Sequence, residues 1–73
     1  MNPFTDGDWE TFPGCESDAP LVAYPRPQTA VVLDGVAVHV FKMAGDGPIM
    51  SYSARYADPM AAREAAERLV ERA

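Results

Sequence analysis

One cysteine, Cys15, and one histidine, His39, are all that this chain of 73 residues has of either. A lone cysteine cannot form an intramolecular disulfide, so the chain is not a stapled secreted scaffold. One His and one Cys fall short of the four ligands of a closed zinc site. Asp6, Asp8 and Glu10 alternate, but without the loop that leads a calcium site on to a bidentate glutamate. No metal and no cofactor are expected. Long apolar runs are missing too, and nothing approaches the ~20 residues of a membrane span. The first ten residues carry Asp6, Asp8 and Glu10 where a secretory signal needs positive charge and then an apolar stretch. The expectation is a cytoplasmic protein without a membrane role.

Basic residues are scarce where they would matter. Residues 1–20 hold Asp6, Asp8, Glu10, Glu16 and Asp18 and no Lys or Arg, while residues 21–73 hold six acids and six bases. The whole net charge of −5 therefore belongs to the N-terminal segment. Such a segment repels a phosphate backbone, because nucleic-acid affinity comes largely from Lys and Arg displacing counterions. No direct nucleic-acid binding is expected. A basic protein surface is the complementary partner, and opposite charge speeds the encounter.

Catalytic signatures are absent as well. No nucleophile elbow, papain-like cysteine or phosphate loop occurs. His39 with Ser51, Ser53 or Cys15 is the one combination that approaches a nucleophile and base, and the spacing does not require them to meet. His39 reads as a surface strand residue, and the chain as a non-enzyme.

What is present is enough apolar residue, 48%, for one small core. A domain of this size buries only ~60% of its unfolded surface. Residues 1–73 read as a single domain, and both a monomer and a core-extending homodimer are compatible with it. Residues 1–28 hold five of the seven prolines and read as an irregular arm. Phe4, Trp9, Phe12 and Tyr24 recur through the arm, and disordered segments are poor in aromatics. The arm is therefore expected to lie on the body, with Leu21 to Tyr24 as an edge strand.

Thr29 to Leu33 and Val36 to Met43 are β-branched runs flanking Asp34-Gly35, a strong hairpin signal. A two-residue Asp-Gly turn pairs Leu33 with Val36 and Val31 with Val38. After the turn formers of residues 44–48, Ile49 to Tyr56 returns as a third strand. One face then carries Val31, Leu33, Val36, Val38, Val40, Met50, Tyr52, Ala54 and Tyr56; the other carries Val32, His39, Phe41, Ser51, Ser53 and Arg55. Asp58 is a good N-cap and Pro59 suits the first helical position. Residues 59–72 predict a helix, and Ala62, Ala65, Ala66, Leu69 and Ala73 follow the rhythm of a buried stripe. The expected fold is α+β: an antiparallel meander over 29–56, three-stranded or four-stranded with the arm, and one C-terminal helix on one face.

The β-β-β-α order, with its alanine-rich helix after Tyr56-Ala57-Asp58-Pro59, resembles the latter part of double-stranded-RNA-binding domains and small integrase N-terminal domains over residues 29–73. The basic helix start and first helix of those families are missing, and no nucleic-acid role carries over. In size, acidity and architecture the chain also resembles phage-encoded anti-CRISPR proteins. That resemblance implies a phage-type inhibitor that binds a CRISPR surveillance complex stoichiometrically, by DNA mimicry on its basic surface. Asp6, Asp8, Glu10, Glu16 and Asp18 supply the charge for such docking. Trp9, Phe12 and Phe41 supply apolar anchors of the kind that dominate interfaces. The competing expectation is a bacterial housekeeping domain that dimerises through the mixed sheet face around Phe41.

Overall fold

A computed structural model describes residues 3–8, 10–12 and 14–72. Five strands, β1 (Thr5–Asp6), β2 (Leu21–Arg26), β3 (Thr29–Asp34), β4 (Ala37–Ala44) and β5 (Gly47–Arg55), precede one helix, α1 (Pro59–Arg72). The strands form a single antiparallel sheet in the order β1-β2-β3-β4-β5. The fold is α+β as expected, but the sheet is larger. Leu21 to Tyr24 belongs to an inner strand, because Thr5 and Asp6 pair outside it. The arm thus contributes two strands. Pro25 is accommodated where the β2–β3 register shifts between Ala23 and Arg26, a place where a missing amide donor costs little.

The central hairpin turns one residue later than the Asp-Gly signal suggests. Asp34 pairs with Ala37 as a strand residue, and Gly35-Val36 form the loop. Gly35 has φ 62° and Val36 has negative φ, as a II′ hairpin asks with Gly at its first loop position. Leu33 consequently faces Val38, and Val31 faces Val40. The slip relative to the expected register is two residues on β4, so every side chain keeps its face. On this hairpin Val36 leaves the strip; its carbonyl accepts the Tyr56 N–H at 2.8 Å.

A second correction concerns Met50. Val40 pairs with Tyr52, but Phe41 pairs with Met50. Ser51 is the extra residue of a β-bulge, which moves the residues before it to the opposite face. Met50 therefore leaves the helix side and meets the arm, within reach of Gly14.

Both faces of the sheet are covered. On one side Ala23, Val31, Leu33 and Val38 pack with Phe4 beneath Ala62 and Ala66 of α1. The alanines let the helix lie close. Asp58 Oδ1 accepts the Ala61 N–H at 2.8 Å, which caps the helix. On the other side the arm lays Phe12 over Val22, Ala30, Val32 and Phe41. A strand buried on both faces needs apolar residues at successive positions, and this accounts for the unbroken Ala30-Val31-Val32-Leu33 run. No described helix is long and apolar enough to cross a membrane.

Candidate functional site

The arm fixes the acidic residues by threading around the sheet edge. Phe4 is buried on the helix side and Phe12 on the opposite side. Between them β1 adds to the edge, and Asp8 Oδ1 accepts the Glu10 N–H at 3.0 Å to shape the turn. Asp6, Asp8, Glu10, Glu16 and Asp18 are all exposed. Glu16 is ion-paired: Arg55 Nη1 lies 2.8 Å from its carboxylate. That hydrogen bond raises the Arg55 pKa above its ordinary value.

The apolar anchors are placed differently from the expectation. Phe12 is 1% exposed and Phe41 0% exposed. Their rings contact each other at 5.1 Å, tilted by 51°. Neither offers a surface to a partner, because the arm has used both to cover the mixed face. Trp9 lies outside the described residues. The exposed large apolar side chains are elsewhere and include Tyr24, Ile49, Met50, Tyr52 and Met60. Three of these lie on β5, whose outer edge pairs with no described strand.

Beside Phe12 and Phe41 lies a buried polar cluster. His39 is a strand residue, as expected, but it is 6% exposed rather than on the surface. Its ring packs edge-on to Phe41. Its Nε2 is 3.1 Å from Asp34 Oδ2, and its Nδ1 is 2.8 Å from Ser53 Oγ. Asp34, 4% exposed, also accepts the Glu16 N–H at 2.7 Å on Oδ2 and the Ser17 N–H at 2.6 Å on Oδ1. Burial pushes the Asp34 pKa up, but these backbone hydrogen bonds and His39 outweigh it and hold the carboxyl below its ordinary 3.8. An ionised Asp34 can only accept, so Nε2 carries the proton in the neutral ring and Nδ1 accepts from the Ser53 hydroxyl.

Cys15 completes the group. One ligand atom from each of Cys15, Asp34 and His39 lies within 4.8 Å of the others. Burial, and then the charge of Asp34, push the thiol up to about 11. Ser51 does not join the cluster; its hydroxyl donates to the Val40 carbonyl.

Ser53, His39 and Asp34 have the residue types of a hydrolytic triad. Asp34 spends both oxygens on the backbone of residues 16 and 17, so the cluster ties the returning arm to the central hairpin. Two larger surface clefts, of about 420 and 470 Å³, open beside Leu21, Pro59 and Met60 and beside Arg26, Lys42 and Met43. Neither is lined by Cys15, His39 or Ser53.

The sequence places His39 and Ser53 on one face and offers Ser51, Ser53 or Cys15 as neighbours without requiring any of them; the structure brings Ser53 and Cys15 to His39 and adds Asp34, which the sequence assigns to the turn. The available signal was Gly35: a glycine able to open the loop by itself frees the preceding aspartate to end the strand. No protein-family profile, curated protein or solved structure matches the chain.

Proposed function

We propose that this chain is a non-enzymatic binding protein that docks its acidic arm on a basic protein surface. The observation that carries this reading is that the carboxylates are exposed while the arm bearing them is fastened on both sides of the sheet. A surface held in advance does not lose chain entropy on association. Asp6, Asp8, Glu10 and Asp18 are the leading contacts. Glu16 contributes less, since Arg55 already offsets its charge. The narrower form, an anti-CRISPR-type inhibitor occupying the DNA-binding groove of a surveillance complex, rests on the resemblance in size and acidity alone.

The test is affinity capture from bacterial lysates at low and moderate salt, followed by binding measurements with the purified partner and competing DNA. Salt-sensitive binding to one nucleic-acid-binding complex, displaced by DNA, supports the reading. It should weaken strongly when the five arm acids are replaced by Asn or Gln; equal affinity of that variant sinks it.

A second reading, self-association, is favoured by β5. Phe12 covers the mixed face, but the nine-residue outer edge of β5 pairs with no described strand, and Ile49, Met50 and Tyr52 are exposed. Two such edges can pair antiparallel about a two-fold axis. Sedimentation equilibrium of the protein and of Tyr52→Lys distinguishes the two readings: a dimer lost in the variant supports self-association, and a monomer in both excludes it.

A further inference from the structure

We propose that Cys15, Asp34 and His39 together bind a divalent transition-metal ion of the zinc type. Three observations converge on this assignment, none of which concerns the acidic arm surface.

The first is the donor set. A thiol, an imidazole and a carboxylate are ligands that zinc accepts together, whereas magnesium and calcium take oxygen alone. A thiolate and an ionised Asp34 carry two negative charges between them, which balance a dication in a buried place. Asp34 beside Cys15 disfavours a free thiolate; a cation between them reverses that effect.

The second is spacing. Zinc bonds of about 2.0–2.3 Å set the edges of a coordination tetrahedron at about 3.3–3.6 Å. The 3.1 Å between His39 Nε2 and Asp34 Oδ2 is close to one such edge. The remaining separations, none above 4.8 Å, exceed such an edge by about 1.5 Å at most. Cys15 is well placed to close that excess, being half-buried on a loop while its two partners sit at strand positions.

The third is support behind the ligands. Metal-bound histidines donate their other ring N–H to a neighbouring group, and ligating carboxylates are themselves hydrogen-bonded. Ser53 Oγ stands 2.8 Å from Nδ1, and Glu16 N and Ser17 N hold the two Asp34 oxygens. When Nε2 turns to the metal, the proton moves to Nδ1 and Ser53 becomes the acceptor; its hydroxyl serves either way. Three protein ligands leave a fourth position open, the pattern of zinc sites that bind water or a further ligand. The ion joins the arm, the end of β3 and β4, so binding also clamps the arm.

Titration of the full chain with Co²⁺, then with Zn²⁺ against a chromophoric chelator, tests the assignment. One equivalent of cobalt should produce a thiolate-to-cobalt charge-transfer band in the near ultraviolet and intense tetrahedral bands in the visible. One equivalent of zinc should move the His39 ring resonances to the Nδ1–H form. Cys15→Ser should abolish the charge-transfer band and weaken zinc binding at least tenfold, and Ser53→Ala should weaken it about tenfold through loss of the supporting hydrogen bond. The absence of a charge-transfer band at millimolar cobalt overturns the proposal. So does unchanged zinc affinity in Cys15→Ser, which would assign the ion to surface carboxylates. The His39 shift in the unaltered protein decides the matter even if a variant fails to fold.

Discussion

Phe12, from the arm, lies tilted across Phe41 of the fourth strand with ring centroids 5.1 Å apart, and together they seal the face of the sheet opposite the helix. This pair determines whether residues 8–20 are a part of the fold or an appendage. Phe12→Ala removes a ring that is 1% exposed, so the expected destabilisation is about 3–5 kcal/mol. Denaturant melts measure it. Because each ring is the other's neighbour, Phe41→Ala combined with Phe12→Ala should cost less than the two singly. Additive losses would mean that the rings are anchored independently.

Asp34 should govern the acid limit of stability. Its carboxyl is held below the ordinary 3.8 by the Glu16 and Ser17 amides and by His39. A carboxyl with a depressed folded-state pKa contributes stability that is complete above its unfolded value and is lost as pH falls through the folded value. In the presence of a chelator, stability should therefore be insensitive to this group above about pH 5 and fall below about pH 4. Asp34→Asn should flatten that part of the profile and lower neutral-pH stability by about 2–3 kcal/mol, the scale of hydrogen bonds to a charged group. A variant with an unchanged acid limb would show that another carboxylate controls it.

Much of the sheet and the whole helix are legible in the sequence because they depend on local periodicity and on caps. Asp58 and Pro59 start the helix where their chemistry predicts, and the alternation of Val38 and Val40 with His39 and Phe41 gives the faces of the fourth strand. Three features resist such reading. The two-residue slip of the central hairpin leaves every face unchanged, so hydrophobic pattern cannot detect it; only the ability of Gly35 to open the turn alone distinguishes the registers. The bulge at Ser51 has no local sequence mark, and it carries Met50 to the other side. The arm's path is a tertiary matter. Its aromatics announce packing, but Phe4 and Phe12 go to opposite faces, and nothing in their spacing separates those destinations. The buried cluster was missed for the same reason, since the donors that satisfy Asp34 are backbone amides 17 and 18 residues away.

Gln28 offers a stabilising substitution. It closes the second-to-third-strand turn with φ 66°, the one described non-glycine residue in this region of backbone space, and the Gln28 carbonyl accepts the Met43 N–H at 2.8 Å. A left-handed conformation costs a residue with a Cβ about 1–2 kcal/mol, and glycine gives back part of the difference in unfolded-state entropy. Gln28→Gly, which keeps the carbonyl, should raise stability by about 0.5–1 kcal/mol. Gln28→Val should do the opposite, since branching at Cβ makes positive φ harder still. A thermal melt in which the glycine variant is the less stable would show that the Gln28 side chain contributes more than its backbone strain costs.

Cys15 reports on the closure of the arm. Burial and the neighbouring Asp34 raise its thiol from an ordinary 9.0 to about 11. At pH 8, two units lower the thiolate fraction about a hundredfold, and the thiolate is the form that reacts. In a chelator, iodoacetamide should therefore label the native protein about a hundredfold more slowly than the denatured chain. The native rate should rise tenfold per pH unit up to pH 10 without levelling off. Phe12→Ala should bring it towards the denatured value, because an arm that lifts from Phe41 carries Cys15 into water and away from Asp34. If Phe12→Ala loses stability but keeps slow labelling, the loop at Cys15 is held by the Glu16 and Ser17 hydrogen bonds to Asp34 alone, and Asp34→Asn should then be the variant that releases it.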